Sequence, residues 1–247
     1  MVKMSWFSGL KEKELELIDF SILETDIHSH LIPGIDDGAQ NLNESLDLVF
    51  ALQELGFSKI ITTPHTMSDF YKNTPEIIIS GREDVQNALD KLNTEIEFGA
   101  ASEYYVDFDF QKKIEKKEFL TFGSKYILIE FSFMDAPINI DEIIFNLQLS
   151  GYNVILAHPE RYLYYGLQDY ERLTNKGVLL QLNLLSITGY YSPEVKKQAE
   201  KLINADLVSF VGTDCHNMRH IENLKLCFTN PLWHKLSVSE KLLNKTL

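Results

Sequence analysis

The 247-residue chain is 45% hydrophobic and carries a formal net charge of −13 with a pI near 5.0. It can bury one core of the size of a single α/β barrel, and it is too acidic for non-specific attraction to nucleic-acid phosphates or anionic lipid. Two cysteines, Cys215 and Cys227, cannot build a disulfide framework and imply a reducing compartment. With no apolar leader in Met1 to Phe20 and no run of about eighteen apolar residues, the chain reads as a cytoplasmic protein without membrane insertion.

In chain order, the charged segment Gly9 to Phe20, with apolar Leu10, Leu15, Leu17 and Ile18, suggests a short packing helix, so residues 1–21 are taken as an N-terminal extension. From there, short aliphatic runs alternate with segments of helical period. Ile22 to Ile27 precedes Leu42 to Leu55, Lys59 to Thr62 precedes Pro75 to Leu92, and Ile96 to Phe98 precedes a charged stretch through Glu118. Strand Tyr126 to Phe131 and helix Ile140 to Leu149 follow, then strand Asn153 to Ala157 and helix Gln168 to Lys176. Strand Val178 to Asn183, helix Pro193 to Asn204 and strand Leu207 to Val211 complete the series. Runs apolar on both faces, such as Tyr126-Ile127-Leu128-Ile129, suit a parallel sheet covered by helices. Ser192-Pro193 reads as a helix start, and Gly56 and Gly151 as helix stops. No linker or internal repeat divides the chain, so residues 1–247 are expected to form one domain.

Acid and imidazole groups gather where the strands end, which is where parallel α/β folds place their chemistry. Five of the seven histidines lie in Asp26-Ile27-His28-Ser29-His30, Thr63-Pro64-His65, His158-Pro159-Glu160-Arg161 and Asp214-Cys215-His216. In an extended segment, His28 and His30 share one side and can chelate an ion. Any one member of the set could be only a hydrogen-bonded polar residue at a barrel mouth. Three further histidines and several carboxylates in equivalent places point instead to several metal ions at one face. In Pro33-Gly34-Ile35-Asp36-Asp37-Gly38, either aspartate could serve, and the run also reads as turn chemistry.

These motifs, with Leu128-Ile129-Glu130-Phe131-Ser132 and Ala157-His158-Pro159-Glu160-Arg161-Tyr162, closely resemble the bacterial PHP-type (polymerase and histidinol phosphatase) tyrosine phosphatases of capsule and exopolysaccharide operons, from about residue 24 to residue 230. The resemblance implies a distorted seven-stranded (β/α) TIM-like barrel with three divalent ions, normally Mn2+, although Fe or Zn suits the same donors. It places one ion on His28, His30, Glu103 and Asp214, a second on Glu103, Glu130 and His158, and a third on Asp37, His65 and His216. Relatives carry a Gly-x-Glu pattern where this chain has Gly99-Ala100-Ala101-Ser102-Glu103, and Glu97 is a poor substitute because it precedes the strand end. Three divalent ions against four carboxylates leave about two positive charges for a phosphate dianion. The resemblance further implies that a metal-activated hydroxide attacks phosphorus while Arg161 clamps a phosphoryl oxygen, with Arg219 as a second candidate. Tyr71, Tyr104, Tyr105 and Tyr162 are candidates to line a slot for a phenyl ring. The partner it implies is a phosphotyrosine protein, such as the C-terminal tail of a bacterial tyrosine kinase.

Rival classes fit less well. A cysteine phosphatase needs a thiolate and an arginine five residues on, whereas Arg219 follows Cys215 after only three intervening residues. Amidohydrolases usually carry a metal-bridging lysine at the end of the fourth strand, where this chain has Glu130. Histidinol-phosphate phosphatase shares nearly all the ligands. A non-catalytic, metal-stabilised regulator that binds a kinase tail is the alternative outside enzymes.

Overall fold

A computed structural model describes residues 15–247. All strands pair in parallel, in two sheets. The first joins β1 (Thr25–Asp26), β2 (Lys59–Thr62) and β4 (Glu97–Ala100). The second runs β3 (His65–Thr66), β5 (Glu103–Tyr105), β6 (Tyr126–Glu130), β7 (Asn153–Ala157), β8 (Leu179–Asn183) and β9 (Val208–Gly212). Thr63-Pro64 interrupts β2 from β3, and Ala101-Ser102 interrupts β4 from β5. The nine segments therefore occupy seven strand positions of a distorted α/β barrel.

Hydrogen bonds carry the ring across these interruptions. Ala101 N donates to Thr62 O at 2.8 Å and Glu103 N to Pro64 O at 3.1 Å. The last strand position meets the first through a Ser29–Cys215 β-bridge, with Asp214 N donating to His28 O and His30 N to Cys215 O. Buried Asp26 seals this join by accepting from Thr213 N at 3.0 Å and Thr213 Oγ1 at 2.8 Å. Burial pushes its carboxyl up to about 6 in spite of those donors.

Alternation along the strands gives each a face inward and a face outward. Ile27, Ile61, Ala101, Leu128, Ile155, Ala157 and Phe210 fill the barrel, which Phe122, Tyr126, Leu179, Leu243 and Leu247 close at the end away from the site. A larger apolar layer lies between the strands and the helices α1 (Leu42–Glu54), α2 (Pro75–Lys91), α3 (Phe110–Lys116), α4 (Ile140–Leu149), α5 (Leu167–Asn175), α6 (Leu184–Thr188), α7 (Pro193–Asn204), α8 (Met218–Leu224) and α9 (Pro231–Ser237). Helix punctuation follows the sequence signals: Ser192 Oγ accepts from Val195 N ahead of Pro193, while Gly56 and Gly151 adopt left-handed φ. No helix among the described residues is long and apolar enough to cross a membrane.

Several boundaries differ from those expected. The first strand is cut to two residues because Phe20–Ile22 forms a 3-10 turn and Glu24 takes a left-handed φ of 62°. The third extends past Phe98 and resumes as β5 after its interruption. Short helices α6, α8 and α9 lie in segments without a readable helical period. The packing helix expected over Gly9 to Phe20 falls partly outside the described residues. Its described portion, Leu15 to Asp19, is not helical. It is nonetheless anchored: Trp233 Nε1 donates to Ile18 O, and Phe20 packs on Phe57, Phe228 and Trp233.

Asp26→Ala leaves the Thr213 amide without its acceptor at the barrel join. A loss of about 2 kcal/mol in urea-unfolding stability is expected. An unchanged midpoint would show that the join does not depend on this contact.

Candidate metal centre

The carboxyl ends of the strand positions deliver nine acid and imidazole side chains to one cleft. Ser29 pairs with Cys215, so His28 and His30 on either side of it point the same way, ring centroids 5.4 Å apart. The β4/β5 interruption carries Glu103 to the mouth, where it is fully buried. Glu97 lies at the opposite end of its strand position, exposed and 3.2 Å from Lys59. His158 and Asp214 take left-handed φ of 32° and 51°, conformations costing about 1–2 kcal/mol each that concentrate at functional sites.

Glu103 is the hub. Its Oε2 lies 3.2 Å from His28 Nε2, 3.6 Å from His30 Nε2 and 3.0 Å from His65 Nδ1, and its Oε1 is 2.8 Å from His158 Nε2. Asp214 Oδ1 lies 3.4 Å from Nε2 of both His28 and His30. Glu130 Oε1 is 2.9 Å from His65 Nδ1. Asp37 Oδ1 faces Nε2 of His65 at 3.6 Å and of His216 at 3.5 Å. Four overlapping groups have ligand atoms close enough to share an ion: His30, Asp37, His65 and His216; His28, His158 and Asp214; His28, His30 and Glu103; His65, Glu103 and Glu130.

Although these atoms are close, five of them are buried without an aligned hydrogen-bond partner: Nε2 of His28, Nε2 of His30, Nδ1 of His65, Oε2 of Glu103 and Oε1 of Glu130. They lie within the spread of atoms that could share an ion. Donor atoms about 2.1 Å from one ion stand about 3.0–3.4 Å apart, the spacing seen here. The residues present therefore fit divalent cations.

The outer nitrogens are already engaged. His28 Nδ1 donates to Gln181 Oε1 at 2.7 Å, His30 Nδ1 to Asp36 Oδ2 at 2.8 Å, and His216 Nδ1 to Asp214 O at 2.9 Å. Each contact selects the tautomer whose Nε2 faces the cleft. Asp36 is thereby occupied: it is buried and also accepts from Gly38 N and His65 N. Asp37 is the more exposed of the two and faces the imidazoles.

Burial and neighbouring charges oppose one another at these groups. Burial disfavours charged His28, but Glu103 and Asp214 outweigh it and raise its pKa to about 10. For His158, burial dominates and lowers it to about 4. Burial, then the neighbouring Glu103, pushes Glu130 up to about 7. Burial opposes ionisation of Glu103 too, yet His28 and His65 hold it well below the usual carboxylate range.

Sequence reasoning missed the support from β8. Gln181 Nε2 donates to Asn183 Oδ1, and Asn183 Nδ2 donates to Asp214 Oδ2 at 2.6 Å, so one chain of amides links His28 to Asp214. Asp214 Oδ2 also receives Tyr191 Oη at 3.2 Å and Arg161 Nη1 at 3.3 Å. The Arg161 guanidinium lies between the rings of Phe133 and Tyr191, 4.3 and 4.4 Å from their centroids. Beneath it, fully buried Glu160 Oε1 accepts from Asn183 N and Ser186 Oγ. The signal for β8 was polar Gln181 and Asn183 two residues apart in an otherwise apolar run.

The cleft, of about 450 Å³, is also lined by Met67, Tyr71, Asn217 and His220. Tyr71 stacks on His65, with centroids 5.6 Å apart. Tyr104 and Tyr162 do not line it: both are buried, and their hydroxyls accept from Leu120 N and Phe131 N. Tyr105 lies in a neighbouring groove. Arg219 is exposed on α8, 5.7 Å from the Tyr190 centroid, and is not brought to the cleft. Cys215 is fully buried, and burial raises its thiol far above the usual range, which removes it as a nucleophile.

A parallel α/β barrel with imidazoles and carboxylates at its strand ends defines a metal-dependent hydrolase architecture. The family model described as capsular polysaccharide synthesis, CpsB/CapC, matches residues 24–230, and the chain belongs to that family. It is 30% identical over 204 residues to the tyrosine-protein phosphatase YwqE of Bacillus subtilis, covering 78% of each chain. It superposes with a TM-score of 0.75 and 28% identity on a solved structure from work on YwqE of Bacillus subtilis and CpsB of Streptococcus pneumoniae, described as metal-dependent tyrosine phosphatases, covering 85% of this chain and 90% of that one. A histidinol phosphate phosphatase from Lactococcus lactis shares the fold at a TM-score of 0.51 and 14% identity, covering 89% of this chain and 94% of that one.

Two outcomes test the supporting residues. Asn183→Ala removes the amide link to Asp214 and is expected to weaken the binding of a titrated divalent cation about tenfold, measured by isothermal titration; unchanged affinity would show that the link does not support a metal. Burial raises Glu160 to about 7 from the ordinary 4.5. The folded state thus favours its proton, and stability is full below pH 4.5 and falls as pH rises through 7, by about 3 kcal/mol. Glu160→Gln is expected to unfold at a higher temperature than the wild type at pH 8, with the gap closing at pH 4.5. A gap independent of pH would refute the assignment.

Proposed function

We propose that this protein is a metal-dependent protein-tyrosine phosphatase whose nine strand-end residues hold three divalent ions, manganese first among them, in the cytoplasm. The observation that carries the reading is the set of five buried, unpaired donor atoms converging from four strand positions, in a member of a family whose relatives are named tyrosine phosphatases. His28, His30, Glu103 and Asp214 hold one ion, Glu103, Glu130 and His158 a second, and Asp37, His65 and His216 the third. When bound, the ions supply Lewis acidity and lower the pKa of coordinated water toward neutrality.

The chain's own residues then bind and orient the ester. Arg161, fixed by Asp214 and the two flanking rings, binds a non-bridging phosphoryl oxygen as charge develops there. Tyr71 and Phe133 line the cleft in which an aryl leaving group would lie. A phenolate, with a pKa near ~10, departs with less protonation than a serine alkoxide, which favours phosphotyrosine. The natural substrate in this reading is the tyrosine-bearing tail of a bacterial kinase governing polysaccharide export.

The manganese-loaded protein is expected to release phosphate from a phosphotyrosyl peptide with a kcat/KM well above that for histidinol phosphate, and chelation is expected to abolish it. Preference for histidinol phosphate would move the chain to the small-substrate branch; no turnover of either would sink the reading. Arg161→Ala is expected to lower kcat/KM for the peptide about a hundredfold while metal content stays constant, as checked by elemental analysis.

A further inference from the structure

Beside the metal cleft lies a second groove, of about 570 Å³, which the phosphatase reading does not use. The same loops wall both. The loop after β3 turns Met67 and Tyr71 toward the cleft and Asp69 toward the groove, while the loop after β6 gives Phe133 to the cleft and Pro137 and Ile138 to the groove. The cleft and the groove therefore share the loops after β3 and β6 as walls.

Its lining is unusual for a solvent-facing surface. Ile138 is 99% and Phe108 70% exposed, and Met134 and Phe70 on the same loops are 80% and 81% exposed. An apolar surface of this kind, rimmed by polar groups, marks a binding region. The rim charges all have one sign: Asp69, Asp107 and Glu142 line the groove, with no lysine or arginine among the described residues there. Asp107 has a structural use as well, accepting from Ser68 N and Asp109 N. Asp69 and Glu142 have no such partner among the described side-chain hydrogen bonds and ion pairs.

We propose that this groove seats the polypeptide flanking the phosphotyrosine, in a segment that combines aliphatic with basic side chains. The aliphatic groups cover Phe108 and Ile138, and the basic groups meet Asp69 and Glu142. The wall loops shared with the cleft and the uniform negative rim select this occupant over a second copy of the chain, which carries a net charge of −13 and would bring like charge. The inference rests on the phosphotyrosyl reading of the cleft and adds to it a preference for sequence around the modified residue.

The test uses the full manganese-loaded chain with three substrates: a phosphotyrosyl peptide with leucine and lysine flanks, its counterpart with glutamate flanks, and p-nitrophenyl phosphate, which has no flanks. The wild type is expected to favour the leucine–lysine peptide by about tenfold in kcat/KM. Ile138→Asp is expected to raise the KM for that peptide about tenfold, the loss of one apolar contact, and to leave p-nitrophenyl phosphate unchanged. Asp69→Lys combined with Glu142→Lys is expected to reverse the flank preference. Equal use of both peptides by the wild type, or variants that alter all three substrates alike, would overturn the groove assignment while leaving the phosphatase reading intact. Fluorescence anisotropy with the unphosphorylated leucine–lysine peptide reads the groove without turnover: binding weakened by Ile138→Asp supports the proposal, and absence of binding overturns it. A wild-type dimer in light scattering that Ile138→Asp makes monomeric, with peptide KM unchanged, would assign the face to self-association instead.

Discussion

A buried carboxylate surrounded by imidazoles organises this molecule. Glu103 is fully enclosed, and three histidines bring ring nitrogens to within 3.6 Å of its Oε2 without aligned hydrogen bonds. Such an arrangement is costly in a low-dielectric interior unless positive charge sits among the donors. Glu103 and Asp214 hold the proton on His28 up to about 10 against burial; divalent ions would supply more charge, with directionality suited to the donor spacing. The parallel barrel makes the crowding possible because every strand position ends on the same face.

The outer contacts explain why the donors hold this geometry. Amide, carboxylate and carbonyl acceptors take the far nitrogens of His28, His30 and His216, leaving Nε2 of each free to face inward. Close packing fixes positions as firmly. A Cβ on Gly212 would come within 2.7 Å of His28 Cβ and 2.8 Å of Gln181 Nε2, so only glycine lets β9 lie against both. Asp214 connects two sets of side chains: Oδ1 turns to the imidazoles and Oδ2 receives Asn183, Tyr191 and Arg161. The guanidinium is thus registered to the same carboxylate that faces His28 and His30.

Much of this was legible in the sequence, for a physical reason: runs apolar on both faces that end in His or acid announce buried parallel strands with their chemistry at the ends. His28, His30, His65, Glu130, His158, Asp214 and His216 could be placed that way. Glu103 was harder, because Ala101-Ser102 interrupts its strand position and carries the carboxylate beyond the apolar run that marked the strand. Asp36 and Asp37 could not be separated by pattern, since burial of one and exposure of the other arise from the fold of the turn. Gln181, Asn183 and Tyr191 escaped because amides and a phenol among apolar neighbours carry no metal-binding signature. Tyr104 and Tyr162 lie near motifs in sequence but point into the core, and Arg219 faces solvent beside Tyr190, so proximity along the chain misjudged all three.

Anomalous diffraction from crystals of the manganese-loaded protein tests the three-ion site most directly. Three anomalous peaks are expected in the cleft, each about 2.0–2.4 Å from its donors, with Glu103 contacting two of them and Asp37, His65 and His216 sharing the third. A cleft without peaks, or manganese bound only to surface carboxylates elsewhere, would contradict it.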